Sequence, residues 1–190
     1  MRLVLASSSP YRRELLARLG VPFDTAAPQV DESPLRGERP EEMVTRLAIA
    51  KAEAGVENDP DAVVIGSDQT ANLEGRSLGK PGTAAAAVSQ LQSMAGHDIV
   101  YCTAVAVHQP GRESRVHLDT SRVRLRQLGM DEIQRYIESE QPLDCAGALK
   151  LEGLGIALCE YIETSDPTAL IGLPLIATAQ LLRAHGFAVP

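Results

Sequence analysis

Leu3, Val4, Leu5 and Ala6 form an unbroken apolar run that Ser7-Ser8-Ser9-Pro10 cuts off. A short continuous apolar run ending in a turn predicts a buried strand over residues 2–6. Ser9 as N-cap and Pro10 in the first helical position predict a helix to about Leu19. Its apolar stripe is Leu15, Leu16 and Leu19, and Gly20 closes it. A second strand is expected over 22–27, then a polar loop from Asp31 to Arg39. The next helix spans Pro40–Gly55, with Met43, Leu47, Ala50 and Ala54 on one side. Residues 62–66 read as a strand ending at Ser67-Asp68-Gln69, and Gly75 to Gly82 as a turn-rich loop. An Ala-rich helix is expected over 83–95, stopped by Gly96. Alternating runs at 99–108 and 114–125 flank Pro110-Gly111 and predict a hairpin. A short helix over Met130–Glu138, a Gly-rich passage from Cys145 to Gly155, a strand at 156–162 and a helix at 174–185 complete the chain. Units of βα type mixed with a hairpin imply an α/β fold with a mixed sheet.

Composition narrows the function. The 190 residues are 44% apolar, enough for one α/β domain or two closely joined lobes. No apolar run approaches the ~20 residues of a membrane span, so a soluble, cytoplasmic protein is expected. A formal charge of -7 repels nucleic acid and anionic membranes in bulk. Any polyanion must therefore be gathered by local cations. Cys102, Cys145 and Cys159 are widely spaced and read as reduced thiols rather than a disulfide framework or zinc site. The four histidines show no ligand spacing. Of the 18 basic residues only Lys51, Lys80 and Lys150 are lysines, and each falls beside a segment singled out on other grounds.

The sharpest segment is the serine turn. Arg12 and Arg13 sit in the first turn of the predicted helix, where the positive end of the helix dipole disfavours cations. A bound anion removes the conflict, because amides, serine hydroxyls and guanidiniums then converge on phosphate oxygens. A solvated arginine pair beside a capping serine is the other reading. Asp31-Glu32 and Asp68 supply carboxylates, the latter just past a strand end, where ligands dock in α/β folds. Beside a phosphate site such acids suit Mg²⁺ or activation of water. Gly75-x-x-x-Gly79-Lys80-Pro81 falls one residue short of a Walker A loop and carries Pro in place of Ser or Thr. There is no GxGxxG after the first strand and no GxSxG elbow.

The run Leu5-Ala6-Ser7-Ser8-Ser9-Pro10-Tyr11-Arg12-Arg13-Glu14-Leu15-Leu16 resembles the opening of the Maf nucleotide pyrophosphatases. Asp31-Glu32, Arg46-Leu47-Ala48-x-x-Lys51-Ala52, Gly66-Ser67-Asp68-Gln69, Gly79-Lys80-Pro81, Cys145-Ala146-Gly147 and Gly172-Leu173-Pro174 follow in the family's order. The resemblance covers nearly the whole chain and implies a single Maf-like domain over 1–190. It also implies an elongated, inosine triphosphate pyrophosphatase-like fold with two lobes and a central cleft, a divalent cation (Mg²⁺ or Mn²⁺) and often a homodimer. Carried over by motif, Asp68 is the proton acceptor that activates water for attack on the α-phosphorus. Ser7, Ser9, Arg12, Arg13, Lys51 and Lys80 hold the triphosphate, and Glu32 joins Asp68 at the metal.

Tyr11, Ser67-Asp68-Gln69 and the passage Ala146–Gly153 depart from the branch that hydrolyses dTTP and UTP. They resemble the branch that hydrolyses 7-methyl-GTP. N7-methylation makes guanine cationic, which suits the aromatic face of Tyr11. Glu152 suits the guanine N1–H and 2-amino donors, and Gln69 completes the specificity set. Two other readings stay open: a dTTP/UTP or broad modified-nucleotide pyrophosphatase of the same fold, and a non-catalytic nucleotide-binding regulator of cell division.

Overall fold

The computed structural model describes residues 1–56 and 61–190. Its strands are β1 (Leu3–Ala6), β2 (Asp24–Ala26), β3 (Val63–Leu73), β4 (Arg76–Leu78), β5 (Asp98–His108), β6 (Arg115–Leu125) and β7 (Cys159–Glu163). They form one mixed sheet in the order β2-β1-β3-β5-β6-β7, with β4 paired to β3. Pairing of β1 with β2 and with β3 is parallel, whereas β3–β4 and β6–β7 are antiparallel. Among the described residues five α-helices accompany the sheet: α1 (Pro10–Ala17), α2 (Pro40–Ala54), α3 (Ala84–Met94), α4 (Met130–Glu140) and α5 (Leu175–Ala184). No described helix is long and apolar enough to cross a membrane.

The chain divides into two compact units. One comprises Met1–Asp68, Thr103–Asp119 and Asp166–Pro190, the other Gln69–Cys102 and Thr120–Ser165. In the first unit β1 is buried on both faces, which is why it reads as a continuous apolar run. Leu3 and Leu5 join Leu15 and Leu16 of α1 and Leu175 and Leu182 of α5 in one cluster. Val4 and Ala6 join Ala62 and Val64 in another. In the second unit, α3 packs on α4, with Leu91, Met94, Ile133 and Ile137 buried.

Ser9 caps α1 as the sequence predicts, its Oγ accepting from the Arg12 amide at 3.4 Å. Three expectations need correction. The buried stripe of α2 is Val44, Leu47, Ala48, Lys51 and Ala52, not Met43, Leu47, Ala50 and Ala54. Apolarity alone misplaced it, because an amphipathic lysine occupies the inner face. The strand expected at 62–66 continues to Leu73, because Ala71–Leu73 pairs with Arg76–Leu78 across the turn at Glu74-Gly75. Asp68 therefore lies inside a strand, not beyond its end. The strand expected at 156–162 starts at Cys159, since Leu154–Leu158 winds into a 3-10 turn.

Helix α2 lies directly on β3 at Gly66. A β-carbon there would stand 2.1 Å from the Ala48 carbonyl oxygen and 2.5 Å from the Ala52 nitrogen. Both are helix backbone and cannot rotate away. Gly66→Ala is expected to destabilise the protein by about 2–3 kcal/mol, as overpacking against fixed atoms does. Gly79→Ala, which meets nothing within 4 Å, should change little. Thermal or urea unfolding of the two variants checks the contrast.

Candidate active site

Because Gly66 brings the helix backbone against the strand, Lys51 on α2 reaches Asp68, two residues further along β3. The Lys51 Nζ donates to Asp68 Oδ1 at 2.7 Å and lies 2.7 Å from Glu32 Oε1. Lys51 is 6% exposed and Asp68 8%. An ammonium so removed from water requires anionic partners, and here two carboxylates converge on it. Burial pushes the Asp68 carboxyl above its ordinary value, against the pull of Lys51 and then Arg12, while Glu32 adds to the rise. Burial likewise lowers Arg12, which Asp68 and Glu32 draw back up. Its guanidinium stays charged at neutral pH.

Arg12 is held from behind. Its Nε donates to the Gly172 carbonyl at 2.9 Å and its Nη1 to Ser7 Oγ at 3.4 Å. Ser7 Oγ also accepts from the Ser9 amide at 3.2 Å. A hydroxyl that accepts twice keeps its own proton to donate, and a phosphate oxygen is a fitting acceptor. The Gly172 carbonyl serves a second donor, Ser67 Oγ at 2.9 Å, next to Asp68 on β3. Gly172 has φ 123°, a conformation that side-chain-bearing residues avoid. Asp166 braces the same segment, accepting from the Thr168 amide and hydroxyl and from the Ile176 amide. Asp166 escaped the sequence reading, although Asp-Pro-Thr before a helix is a turn signature that points to it.

Glu32 is itself exposed and belongs to a largely exposed loop, which Arg46 of α2 ties down. Arg46 pairs with Glu38 at 2.6 Å and donates to the Ser33 carbonyl at 3.2 Å. Glu38 also accepts from the Leu35 amide at 3.0 Å. Nothing in the spacing of Glu38 and Arg46 announces this clamp.

Among the remaining singled-out residues, Tyr11 is half-buried on α1 and Arg13 is exposed beside it. These and Ser7, Ser9, Arg12, Glu32, Lys51 and Asp68 all belong to the first unit. Gln69, Lys80 and Glu152 belong to the second, where Lys80 and Glu152 are exposed and Gln69 is half-buried. Among the described residues no three His, Cys, Asp or Glu side chains gather as a metal-ligand set. Glu32 and Asp68 nevertheless share one cationic partner. Two converging hard oxygens fit a small divalent cation whose other ligands are water and substrate phosphate.

In one unit the chain thus brings a buried and an exposed carboxylate onto a buried ammonium, with Arg12 and the hydroxyl-rich start of α1. A family profile described as Maf-like protein matches residues 2–185. The chain is 53% identical over 189 residues to a 7-methyl-GTP pyrophosphatase of Xanthomonas oryzae pv. oryzae (strain MAFF 311018), covering 100% of this chain and 99% of that one. It is 52% identical over 191 residues to a protein of the same name from Aromatoleum aromaticum, covering 100% and 98%. A third, from Polaromonas sp., is 56% identical over 189 residues, covering 98% and 86%. The chain belongs to the Maf family.

The Glu38–Arg46 pair has a definite pH signature. Hydrogen bonds from Arg46 and from the Leu35 amide lower the Glu38 carboxyl from 4.5 to about 2. A carboxyl depressed by folding stabilises above its unfolded value, and the stabilisation is lost as pH falls toward the folded one. Glu38→Gln is thus expected to lower stability at neutral pH, with the difference from wild type narrowing from about pH 4.5 toward about pH 2. Urea unfolding across that range measures it; a difference independent of pH would refute the ionic role.

Proposed function

We propose that this chain is a nucleoside triphosphate pyrophosphatase that hydrolyses 7-methyl-GTP to 7-methyl-GMP and diphosphate, removing modified nucleotides from the pool. The observation that carries the reaction class is the Lys51 ammonium held between Glu32 and Asp68, with Arg12 fixed in their field. Relatives of that name at 52% to 56% identity over nearly the whole chain support the substrate.

Water attacks the α-phosphorus, the bond from that phosphorus to the α,β-bridging oxygen breaks, and diphosphate leaves with the electron pair. Asp68 accepts the proton of the attacking water. Its elevated affinity for protons, a consequence of burial, suits a base better than an ordinary surface carboxylate does. Arg12, Arg13, Lys51, Lys80 and the Ser7 and Ser9 hydroxyls take up the triphosphate oxygens. An incoming triphosphate competes with Asp68 for the Lys51 ammonium, which releases the carboxylate for its task. Glu32 and Asp68 would hold a divalent cation, which when bound offsets charge developing on the phosphate oxygens. Electrostatic stabilisation of that charge supplies most of the rate enhancement. Tyr11 offers a face to the cationic base, while Gln69 and Glu152 read its polar edge.

The test is release of diphosphate from 7-methyl-GTP, GTP, dTTP and UTP with Mg²⁺ or Mn²⁺. A kcat/KM for 7-methyl-GTP well above the others is expected, and equal values on all four would sink the assignment. Asp68→Asn should bind nucleotide yet lose about 10²–10⁴ in kcat, the usual worth of a general base. Wild-type protein that binds nucleotide and turns over none of the four would favour the regulator reading instead.

A further inference from the structure

The loop that carries Glu152 is held by one face of α4. Tyr136 and Glu140 stand four residues apart on that helix, hence one above the other. The buried Tyr136 hydroxyl donates to the Ala148 carbonyl at 3.1 Å and accepts from the Lys150 amide at 2.9 Å. One turn on, Glu140 receives the Lys150 Nζ at 3.1 Å through one oxygen and the Leu154 amide at 2.8 Å through the other. The loop closes on itself as well, since the Lys150 carbonyl accepts from the amides of Gly153 and Gly155. Gly153 is where the carboxylate presses in: a β-carbon there would lie 2.5 Å from Glu140 Oε1. Glu152 is the exposed residue between these anchors.

Both Glu140 contacts go to loop ends rather than to the core. A carboxylate used this way orders a loop, because each bond it makes removes a conformational freedom of residues 150–154. Partial desolvation raises the Glu152 carboxyl and Glu140 and Asp144 add to the rise, while its own backbone amide and then Lys150 draw it back down.

We propose that Glu140, with Tyr136, is a specificity-positioning residue. It fixes the Lys150–Leu154 loop in the form that presents Glu152 as an acceptor for the hydrogen-bond donors of a purine edge. This rests on the reading of Glu152 as a base-recognising carboxylate, and it assigns the positioning of that carboxylate to Glu140 and Tyr136.

The experiment compares Glu140→Gln, Glu140→Ala and Tyr136→Phe with wild type on 7-methyl-GTP and UTP. Gln keeps an acceptor for the Leu154 amide but weakens the link to Lys150, whereas Ala removes both. Expected for Glu140→Ala is a fall of about tenfold in the 7-methyl-GTP to UTP ratio of kcat/KM, the worth of one charge-assisted hydrogen bond. The loss should sit in KM for 7-methyl-GTP, with kcat and UTP turnover little changed. Glu140→Gln and Tyr136→Phe should fall between. Amide hydrogen exchange at Leu154 should quicken in Glu140→Ala, a readout independent of activity. A selective wild type whose Gln and Phe variants both keep the wild-type ratio overturns the inference alone. A wild type that does not discriminate overturns the substrate reading and this inference with it. Should the Ala variant fail to fold, the Gln and Phe ratios still decide.

Discussion

A lysine ammonium with almost no access to water, shared by two carboxylates, is the constraint around which the rest of the first unit is arranged. Taking an ammonium out of solvent is costly, and only close opposite charge with good geometry offsets it. Lys51 obtains that from Glu32 and Asp68 at 2.7 Å each. The arrangement satisfies the charges without neutralising them permanently. In the proposed reaction a triphosphate takes the ammonium over, and the displaced carboxylates then become available to water and cation. Stability of the resting state and readiness for chemistry thus draw on the same three side chains.

Lys51, Glu32 and the neighbouring Arg12 are delivered by different parts of the chain, and each delivery has its own device. Lys51 depends on Gly66, whose missing side chain lets α2 lie on β3. Glu32 depends on the Arg46–Glu38 clamp, which gathers an exposed loop onto α2. Arg12 depends on the Gly172 carbonyl, which also holds Ser67 beside Asp68. Through that one carbonyl, the cation at the start of α1 and the strand carrying the proposed base share a reference point. Asp166 in turn sets the segment containing Gly172.

The second unit repeats the strategy at the loop from Lys150 to Leu154. Two side chains of α4 hold a backbone that has little regular structure of its own, and the exposed carboxylate is carried on top. Contacts from a regular helix thus give an irregular loop its definition.

Much of this was legible in the residues. The β1 run, the Ser9 cap with Pro10, the helices α2 to α5 to within a few residues, and the conflict between Arg12 and the helix dipole are all local signals. Local signals survive without knowledge of the fold. The motifs quoted from Leu5 to Pro174 carried the family, which the profile match over residues 2–185 bears out. Other features needed the third dimension. Hydropathy could not announce that Lys51 points inward, because its burial exists only where Glu32 and Asp68 meet it. The extent of β3 beyond Asp68 was set by pairing with β4, a contact no single strand contains. Glu38 with Arg46, Arg12 with Gly172 and Glu140 with Lys150 join residues by proximity rather than by spacing or period. Sequence alone determined which elements form and which chemistry is present; tertiary structure decided which charges meet, because electrostatic energy depends on distance and burial, and neither is a property of sequence order.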